Sequence, residues 1–489
     1  MSREILLVMP KAGIWENLGI RPPDGLLTIA AIPYQRGYNV KIVDLRLEKD
    51  WRATMKSHLE KNPLFVATSC MTGPQIGYAL ELSKFVKQHD KNVPVIWGGI
   101  HPTFNPHQTL ENKNIDVVVI DEGDMTFLEL IEKFGKNESL KDVLGIGYKE
   151  NGKIIINPKR PLIEDLDSLP NLPYDLIETK RYFGFDTENS EPSIALSTSR
   201  GCPFKCTFCY DTKVFGNRFR AFSAKRTVEI VKFVTEKFKI KNIYFHDDNF
   251  CTNLKRYKDF IDILLQENLD ITWGVLGVRM DTLQIMEHEL LSKTVKAGCT
   301  NLNSGIESGS DRILKLIKKG ITVQQVIDTN KKISKYSFKA KYTTINGFPT
   351  ETEQDIKDTV KLALRLVQDN KNAYTSFNIY MPYPGVELWE LAKQYGVYEP
   401  KTLEEWITVD QDNVFDNLPW LDNRRKEMIK NLVFTSNFAN RNIKYKIGKK
   451  YLRFLFDLYH PIAKLRFKYN IYQFPVDRIL ANSIANALY

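Results

Sequence analysis

Cysteine is scarce in this chain of 489 residues: six in all, too few for a disulfide framework, so a reducing, cytoplasmic setting is the expectation. Long hydrophobic runs are missing as well. No stretch approaches the roughly 18 apolar residues that cross a bilayer as a helix, so an integral helical membrane protein is not expected. The opening MSREILLVMPK has an apolar run too short for a secretory leader and lacks a small-residue cleavage site; it reads as a strand. Repeats with a period of roughly 20–50 residues and low-complexity tracts are also absent, which excludes solenoids and arrays. A hydrophobic share of 43% beside 26% charged residues excludes a disordered or collagenous chain. The length allows two to four domains.

Charge of one sign is missing from most of the chain. The formal charge is +10, and residues 421–489 hold 14 basic and 4 acidic residues, so the preceding 420 balance at 55 against 55. The basic character belongs to the tail, where cations alternate with large apolar groups: Lys449, Lys450, Tyr451, Leu452, Arg453 and Phe454, then Lys464, Leu465, Arg466, Phe467 and Lys468. Such a helix packs its apolar face on the body with its cations solvated, or lies on an anionic membrane surface. The second reading suggests peripheral contact at the inner membrane face and a lipid-like or other small-molecule substrate. A nucleic-acid role ranks last.

Short β-branched runs at 5–9, 40–44, 64–69, 93–97 and 117–120 alternate with helix-length segments such as 75–88. This pattern predicts an α/β fold opening with a doubly wound, Rossmann-like parallel sheet over residues 1–150, with ligands at strand C-termini. A charged, proline-punctuated stretch at 151–192 reads as a linker. Strand candidates at 194–198, 242–246, 271–275, 300–306, 342–345 and 375–379 then predict a partial (β/α)6, TIM-like barrel over 193–400. The remaining 401–489 reads as a basic, mostly helical C-terminal region.

The densest chemical signal is Cys202-Pro203-Phe204-Lys205-Cys206-Thr207-Phe208-Cys209, three of the six cysteines on the loop after the first barrel strand. Closed zinc sites want a fourth ligand, and this loop offers none. A four-iron cluster held by three thiolates keeps one iron open to a substrate.

This CxxxCxxC spacing, with an aromatic before the last cysteine, resembles the signature of radical S-adenosylmethionine enzymes. The resemblance implies a 4Fe-4S cluster on Cys202, Cys206 and Cys209, with S-adenosylmethionine chelated at the open iron. Reductive cleavage of the sulfonium then gives a 5′-deoxyadenosyl radical, and an electron donor such as flavodoxin or ferredoxin is implied. Phe208 matches the aromatic beside the adenine. Asp247 and Asp248 after the second strand, Arg279 in an Arg-x-Asp element, and Glu307 and Ser308 at the end of the fourth strand match positions that face the cofactor. Segments 347–352 and 381–388 resemble companion motifs at the barrel mouth, with Thr350 where the pattern has glycine.

The N-terminal sheet resembles the cobalamin-binding domain of one large branch of that family. Pro22-Pro23-Asp24-Gly25-Leu26 matches its entry to the first helix. Asp44 and Arg46 stand where the cobalamin fold carries Asp-x-His, so the axial histidine is replaced; His101 and His107 are the alternative imidazoles. Ser69 and Met71, Gly98 and Gly99, and Glu122 match its second, third and last elements. The other cysteines are scattered, which counts against methylthiotransferases with extra cluster ligands.

The combined layout is similar to enzymes that methylate an unactivated carbon or phosphorus centre through methylcobalamin. It is also similar to ring-forming enzymes of the anaerobic magnesium-protoporphyrin cyclase type. Methylation is the reading carried forward; a cobalamin or iron–sulfur sensor is the non-enzymatic alternative.

Overall fold

Five short apolar segments form the parallel strands β1 (Ile5–Met9), β2 (Val40–Asp44), β3 (Phe65–Ser69), β4 (Val95–Gly98) and β5 (Val117–Val119). The structure is a computed structural model that describes residues 3–13, 20–182, 184–186, 191–410, 413–439, 450–472, 475, 477 and 478. It divides into two units, the first comprising Met1–Gly184, Tyr383–Gly385 and Glu399–Asn413.

In the first unit the strand order is β2-β1-β3-β4-β5. Near-continuous apolar runs suit strands covered by helices on both faces. The core is built from Ile5, Leu7, Phe65, Ala67, Ile96 and Val117 against Phe127, Leu130 and Ile131 of the helix Asp124–Lys136. The order of strand addition reverses between the parallel β1 and β3, the switch point at which such sheets open a crevice at the strand C-termini.

Two further strands extend this sheet, β6 (Ile146–Glu150) antiparallel to β5 and β7 (Lys153–Ile156) antiparallel to β6. The start of the expected linker at 151–192 is therefore a hairpin. Its turn is Asn151-Gly152, with φ of 49° and 76°, the left-handed pair that suits a two-residue hairpin. The short helical turns Leu166–Ser168, Tyr174–Leu176 and Thr179–Arg181 follow, and the first unit runs to Gly184. The segment Glu399–Asn413, expected to lie partly in the C-terminal region, also belongs to this unit.

The second unit comprises Phe185–Pro382, Val386–Tyr398 and Val414–Tyr489. After the short edge strand β8 (Gly184–Asp186) come β9 (Glu191–Leu196) and the small antiparallel pair β10 (Ser199–Arg200) and β11 (Arg220–Ala221). Then follow β12 (Asn242–Phe245), β13 (Thr272–Val275), β14 (Cys299–Glu307), β15 (Lys339–Asn346) and β16 (Ala373–Ile379). Six strands pair in parallel in the order β9-β12-β13-β14-β15-β16, with β8 beyond β9. The sheet is open among the described residues, as a partial barrel requires.

Crossover helices include Ala224–Phe238, Leu254–Glu267, Val323–Ile333 and Glu353–Asp369. Ser223, Asn253, Thr322 and Thr352 cap them by accepting a backbone N–H. The last of these helices buries Ile356, Thr359, Val360, Ala363 and Leu366, the helical period. Helices Asn423–Ala439 and Lys450–Lys468 follow. No helix among the described residues is long and apolar enough to cross a membrane.

Candidate functional site

The cysteine loop of the second unit leaves β9 through Thr198 and Ser199. Both are fastened by one carboxylate oxygen of Asp247: Thr198 donates to it from its backbone N–H at 2.9 Å and its hydroxyl at 3.1 Å, and the Ser199 hydroxyl donates as well. Asp247 thus ties the loop to the end of β12. Burial pushes its carboxyl up to about 6, although these donors and Arg256 pull the other way. Gly201, at φ 76°, opens the loop where a Cβ would lie 2.3 Å from the Arg218 carbonyl, so only glycine fits.

Cys202 and Cys209 are partly exposed and Cys206 is buried. Burial pushes the Cys202 thiol up to about 11 and the Cys209 thiol higher still. A metal bound there displaces protons from thiols rather than meeting ready thiolates. Among the described residues no three His, Cys, Asp or Glu side chains converge on a single ion. Three thiols on one loop are the donor set of a four-iron cluster that leaves one iron open.

Around Cys206 the structure assembles cations. The Arg279 guanidinium donates to the Cys206 sulfur at 3.8 Å and stacks 3.7 Å over the Phe204 ring. It also grips Asp281 at 2.8 Å and the Lys319 carbonyl at 2.6 Å. Lys319 is buried and pairs with Glu307 at 2.8 Å. Burial opposes its charge, but Glu307 and Cys206 outweigh that and raise its pKa. Glu307 itself has φ 58° at a register shift near the end of β14, a conformation held only by its surroundings.

Two carboxyls flank Cys209. Asp211 is pushed up to about 8, by burial first and then by Asp248, and the two side chains share a hydrogen bond. Burial raises Asp248 as well. Phe208 faces Phe348, ring centres 6.0 Å apart.

Buried polar atoms without a protein partner gather at the C-terminal side of this sheet. They include Asp247 Oδ2 and both amide atoms of Asn249 after β12, Ser304 Oγ in β14, and Asn346 Oδ1 and Glu351 Oε1 at and after β15. An unmet buried polar group costs about 1–3 kcal/mol, so their concentration here fits a polar ligand such as an amino acid and ribose. Ser308 is engaged within the protein: its hydroxyl lies 3.2 Å from Thr359 Oγ1, to which the next backbone N–H, of Gly309, donates at 2.9 Å.

In the first unit, Ser69 ends β3 and Gly98 ends β4. An added Cβ at Gly98 would meet only Val119, at 3.8 Å, whereas at Gly99 (φ 94°) it would lie 2.8 Å from Ser69 Oγ and 2.9 Å from the Cys70 backbone. Gly99 is thus required by the protein's own turn after β3, while the open side of Gly98 fits a nucleotide-like tail laid along bare backbone. Thr68 Oγ1, just before, has no protein partner. Met71 is 58% exposed.

The other expected contacts are engaged within the unit. Asp44 binds the Arg46 side chain at 2.8 and 2.6 Å and accepts from the Tyr182 hydroxyl at 3.0 Å. Both residues lie at the end of β2, an edge strand, not at the β1/β3 crevice. Glu122 accepts the Ile163 N–H at 2.9 Å. His107 forms a surface pair with Glu111 at 3.2 Å. His101 is fully buried; its Nδ1 meets Thr72 Oγ1 at 3.0 Å, its ring lies edge-on to Trp406, and its Nε2 has no protein partner. Burial lowers its pKa to about 3, so it stays a neutral imidazole.

Sequence reasoning overlooked Lys319, Ser304, Asn249 and Trp406. Asn249 and Ser304 sat inside segments already singled out. Lys319 and Trp406 carry no local signal, because distant chain brings them in.

Comparison with known proteins agrees with this geometry. The model of the radical SAM superfamily matches residues 196–363 and that of the B12 binding domain residues 16–131. The chain is 37% identical over 413 residues to the uncharacterized methyltransferase PH0819 of Pyrococcus horikoshii, covering 83% of this chain and 87% of that one. It is 26% identical over 344 residues to the anaerobic magnesium-protoporphyrin IX monomethyl ester cyclase of Rubrivivax gelatinosus, covering 69% and 60%. Among solved structures, the cobalamin-dependent S-adenosylmethionine radical enzyme OxsB with aqua-cobalamin and S-adenosylmethionine bound aligns with a TM-score of 0.73 at 18% identity, over 99% of this chain and 75% of that one.

Proposed function

This chain belongs to the radical SAM enzymes that carry a B12-binding domain, and from that premise we propose that it methylates an unactivated carbon or phosphorus centre. Such cofactors supply a carbon-centred radical from reductively cleaved S-adenosylmethionine and a methyl group carried on cobalt. Cys202, Cys206 and Cys209 would hold the cluster. Asp247 fixes the approach of their loop, and Arg279 and Lys319 place two cations at its Cys206 side. Asp247 Oδ2, Asn249 and Ser304 would take the polar groups of S-adenosylmethionine, and Phe208 its adenine. Ser69, Gly98 and Gly99 would receive the cobalamin tail. None of Asp44, Arg46 or Glu122 is placed in that role here, since each already serves a contact within the first unit. Residue 46, an arginine, would offer cobalamin no imidazole.

The single observation carrying this reading is the arginine-flanked cysteine triplet in a unit whose strand ends hold unmet buried polar atoms. Methylation is preferred over ring formation because the relative at 37% identity is named a methyltransferase. The cyclase at 26% identity keeps ring formation as the second reading. The two differ in products. Methylation consumes S-adenosylmethionine twice, giving S-adenosylhomocysteine beside 5′-deoxyadenosine, whereas ring formation gives deoxyadenosine alone. Anaerobically reconstituted protein with cobalamin, reductant and S-adenosylmethionine should yield both. Cys206→Ala should lose deoxyadenosine formation by at least about a thousandfold while still binding cobalamin. Persistent cleavage in that variant removes the cluster assignment.

A further inference from the structure

The helix Lys450–Lys468 divides into three sectors. One is fastened to the second unit. Phe456, Ala463, Phe467 and Tyr472 just beyond it are at most 5% exposed. Phe456 packs on Phe438 and Phe467 on Phe377, with ring centres 5.5 and 5.4 Å apart, and His460 Nδ1 meets the Phe438 carbonyl oxygen at 2.8 Å.

The opposite sector is apolar too. Phe454, Leu458, Ile462, Leu465 and Tyr469 are each 54–64% exposed. Their spacing of four, four, three and four residues puts them on one face at the helical period. Isolated exposed apolar side chains are ordinary, but a contiguous row marks a contact surface.

Between these sectors, on one flank of the row, stand the exposed Lys464 and Lys468, with the exposed Asp457 two turns before Lys464. They belong to a segment, 421–489, whose net charge of +10 is the whole excess of the chain. That charge selects the occupant. A second copy would bring two such segments together and repel, whereas an anionic surface meets both the apolar row and the cations.

We propose that the outer face of this helix docks on an anionic lipid bilayer. Phe454, Leu458, Ile462, Leu465 and Tyr469 would sit at the headgroup boundary, with Lys464 and Lys468 on the lipid phosphates. The helix lies on the surface rather than spanning it, because its other face is already packed on protein. This goes beyond the proposed chemistry and stands independently of it.

The test is flotation of the full chain with vesicles of phosphatidylglycerol mixed with phosphatidylcholine, and with vesicles of phosphatidylcholine alone. The wild type should float with the anionic vesicles and bind the neutral ones roughly tenfold less. The pair Lys464→Glu and Lys468→Glu should lose about twenty-five-fold or more, as two cations at about fivefold each imply. A second variant, Phe454→Ser with Leu458→Ser and Leu465→Ser, should lose at least as much while its circular dichroism stays native. Absence of binding, equal binding to both vesicle types, or wild-type binding by both variants overturns the proposal. So does a dimer in sedimentation that the serine variant abolishes without any lipid binding by the wild type.

Discussion

Arg279 shows what one residue can contribute here. Its guanidinium lies 3.8 Å from the Cys206 sulfur, and Lys319 brings a second cation to the same side. A positive charge beside a thiolate-held cluster favours the more negative, reduced state. Arg279→Gln should therefore lower the midpoint potential of the reconstituted cluster, read by an EPR-monitored redox titration; an unchanged potential would refute this tuning. Glu351 makes the second residue-scale case. Burial pushes its carboxyl up to about 8, while one oxygen accepts the Gly347 N–H and the other has no protein partner. With a folded pKa above the unfolded value of about 4.3, the native state holds the extra proton. The stability this gives is complete below the unfolded pKa and is lost as pH rises toward 8. Glu351→Gln keeps an acceptor for Gly347 but cannot ionise. Its melting temperature should overtake that of the wild type as pH rises from about 5 to 8, and parallel pH profiles would show that Glu351 ionises normally. Arg279 was legible in the sequence because an Arg-x-Asp pair follows a strand. Lys319 was not, since its only local context is a lysine-rich turn.

At the scale of elements, strands were the legible part. All eleven parallel strands, five in the first sheet and six in the second, fall on short β-branched runs, displaced by a few residues at their ends. In the first sheet burial on both faces writes itself as a nearly uninterrupted apolar stretch, as in β1 and β3, whereas β15 and β16 of the second sheet show alternation instead. Of the β6–β7 hairpin, β7 was missed because its partly exposed residues read as the start of a charged linker, and β6, within 1–150, was not among the predicted strands, although Asn151-Gly152 is a hairpin turn signal. The loop after β15 carries a conflict that the sequence did disclose. Thr350 stands where the resembling pattern has glycine, and the structure gives it φ 68°, with Arg312 holding its hydroxyl and carbonyl at 3.2 and 2.8 Å. A β-branched residue in that region is strained. Thr350→Gly relieves the strain at the cost of a looser unfolded chain, for a net stabilisation of about 0.5–1 kcal/mol. Thermal melts at fixed pH decide this, and a lower melting temperature for the glycine variant refutes it.

At the scale of the whole molecule, the first unit is not continuous in sequence. Its chain leaves at Gly184 and the unit regains Glu399–Asn413 more than two hundred residues later. Periodicity cannot announce such a return, because the segment forms only short turns and its partners are remote. Trp406 anchors it. The indole is 2% exposed, donates to Gln108 Oε1 at 2.7 Å and stands edge-on to His101, while Gln108 donates back to the Pro400 carbonyl at 3.1 Å. Nearby, the Val409 carbonyl comes so close to Gly73 that an added Cβ would lie 2.9 Å away. These contacts bear on the loops after β3 and β4, the same loops that present Ser69, Gly98 and Gly99. Trp406→Ala should therefore cost about 3–5 kcal/mol of stability in the first unit. It should also weaken cobalamin binding without touching iron content, because Gln108 and His101, which it contacts, belong to that unit. Hydrogen exchange of the amides at 100–112 and 399–410, with cobalamin affinity by absorbance titration, separates the outcomes. Faster exchange at both segments with weaker cobalamin supports the anchor. Unchanged protection at 100–112 would mean that the returning segment only rests on those loops, and that the crevice keeps its shape from the sheet alone.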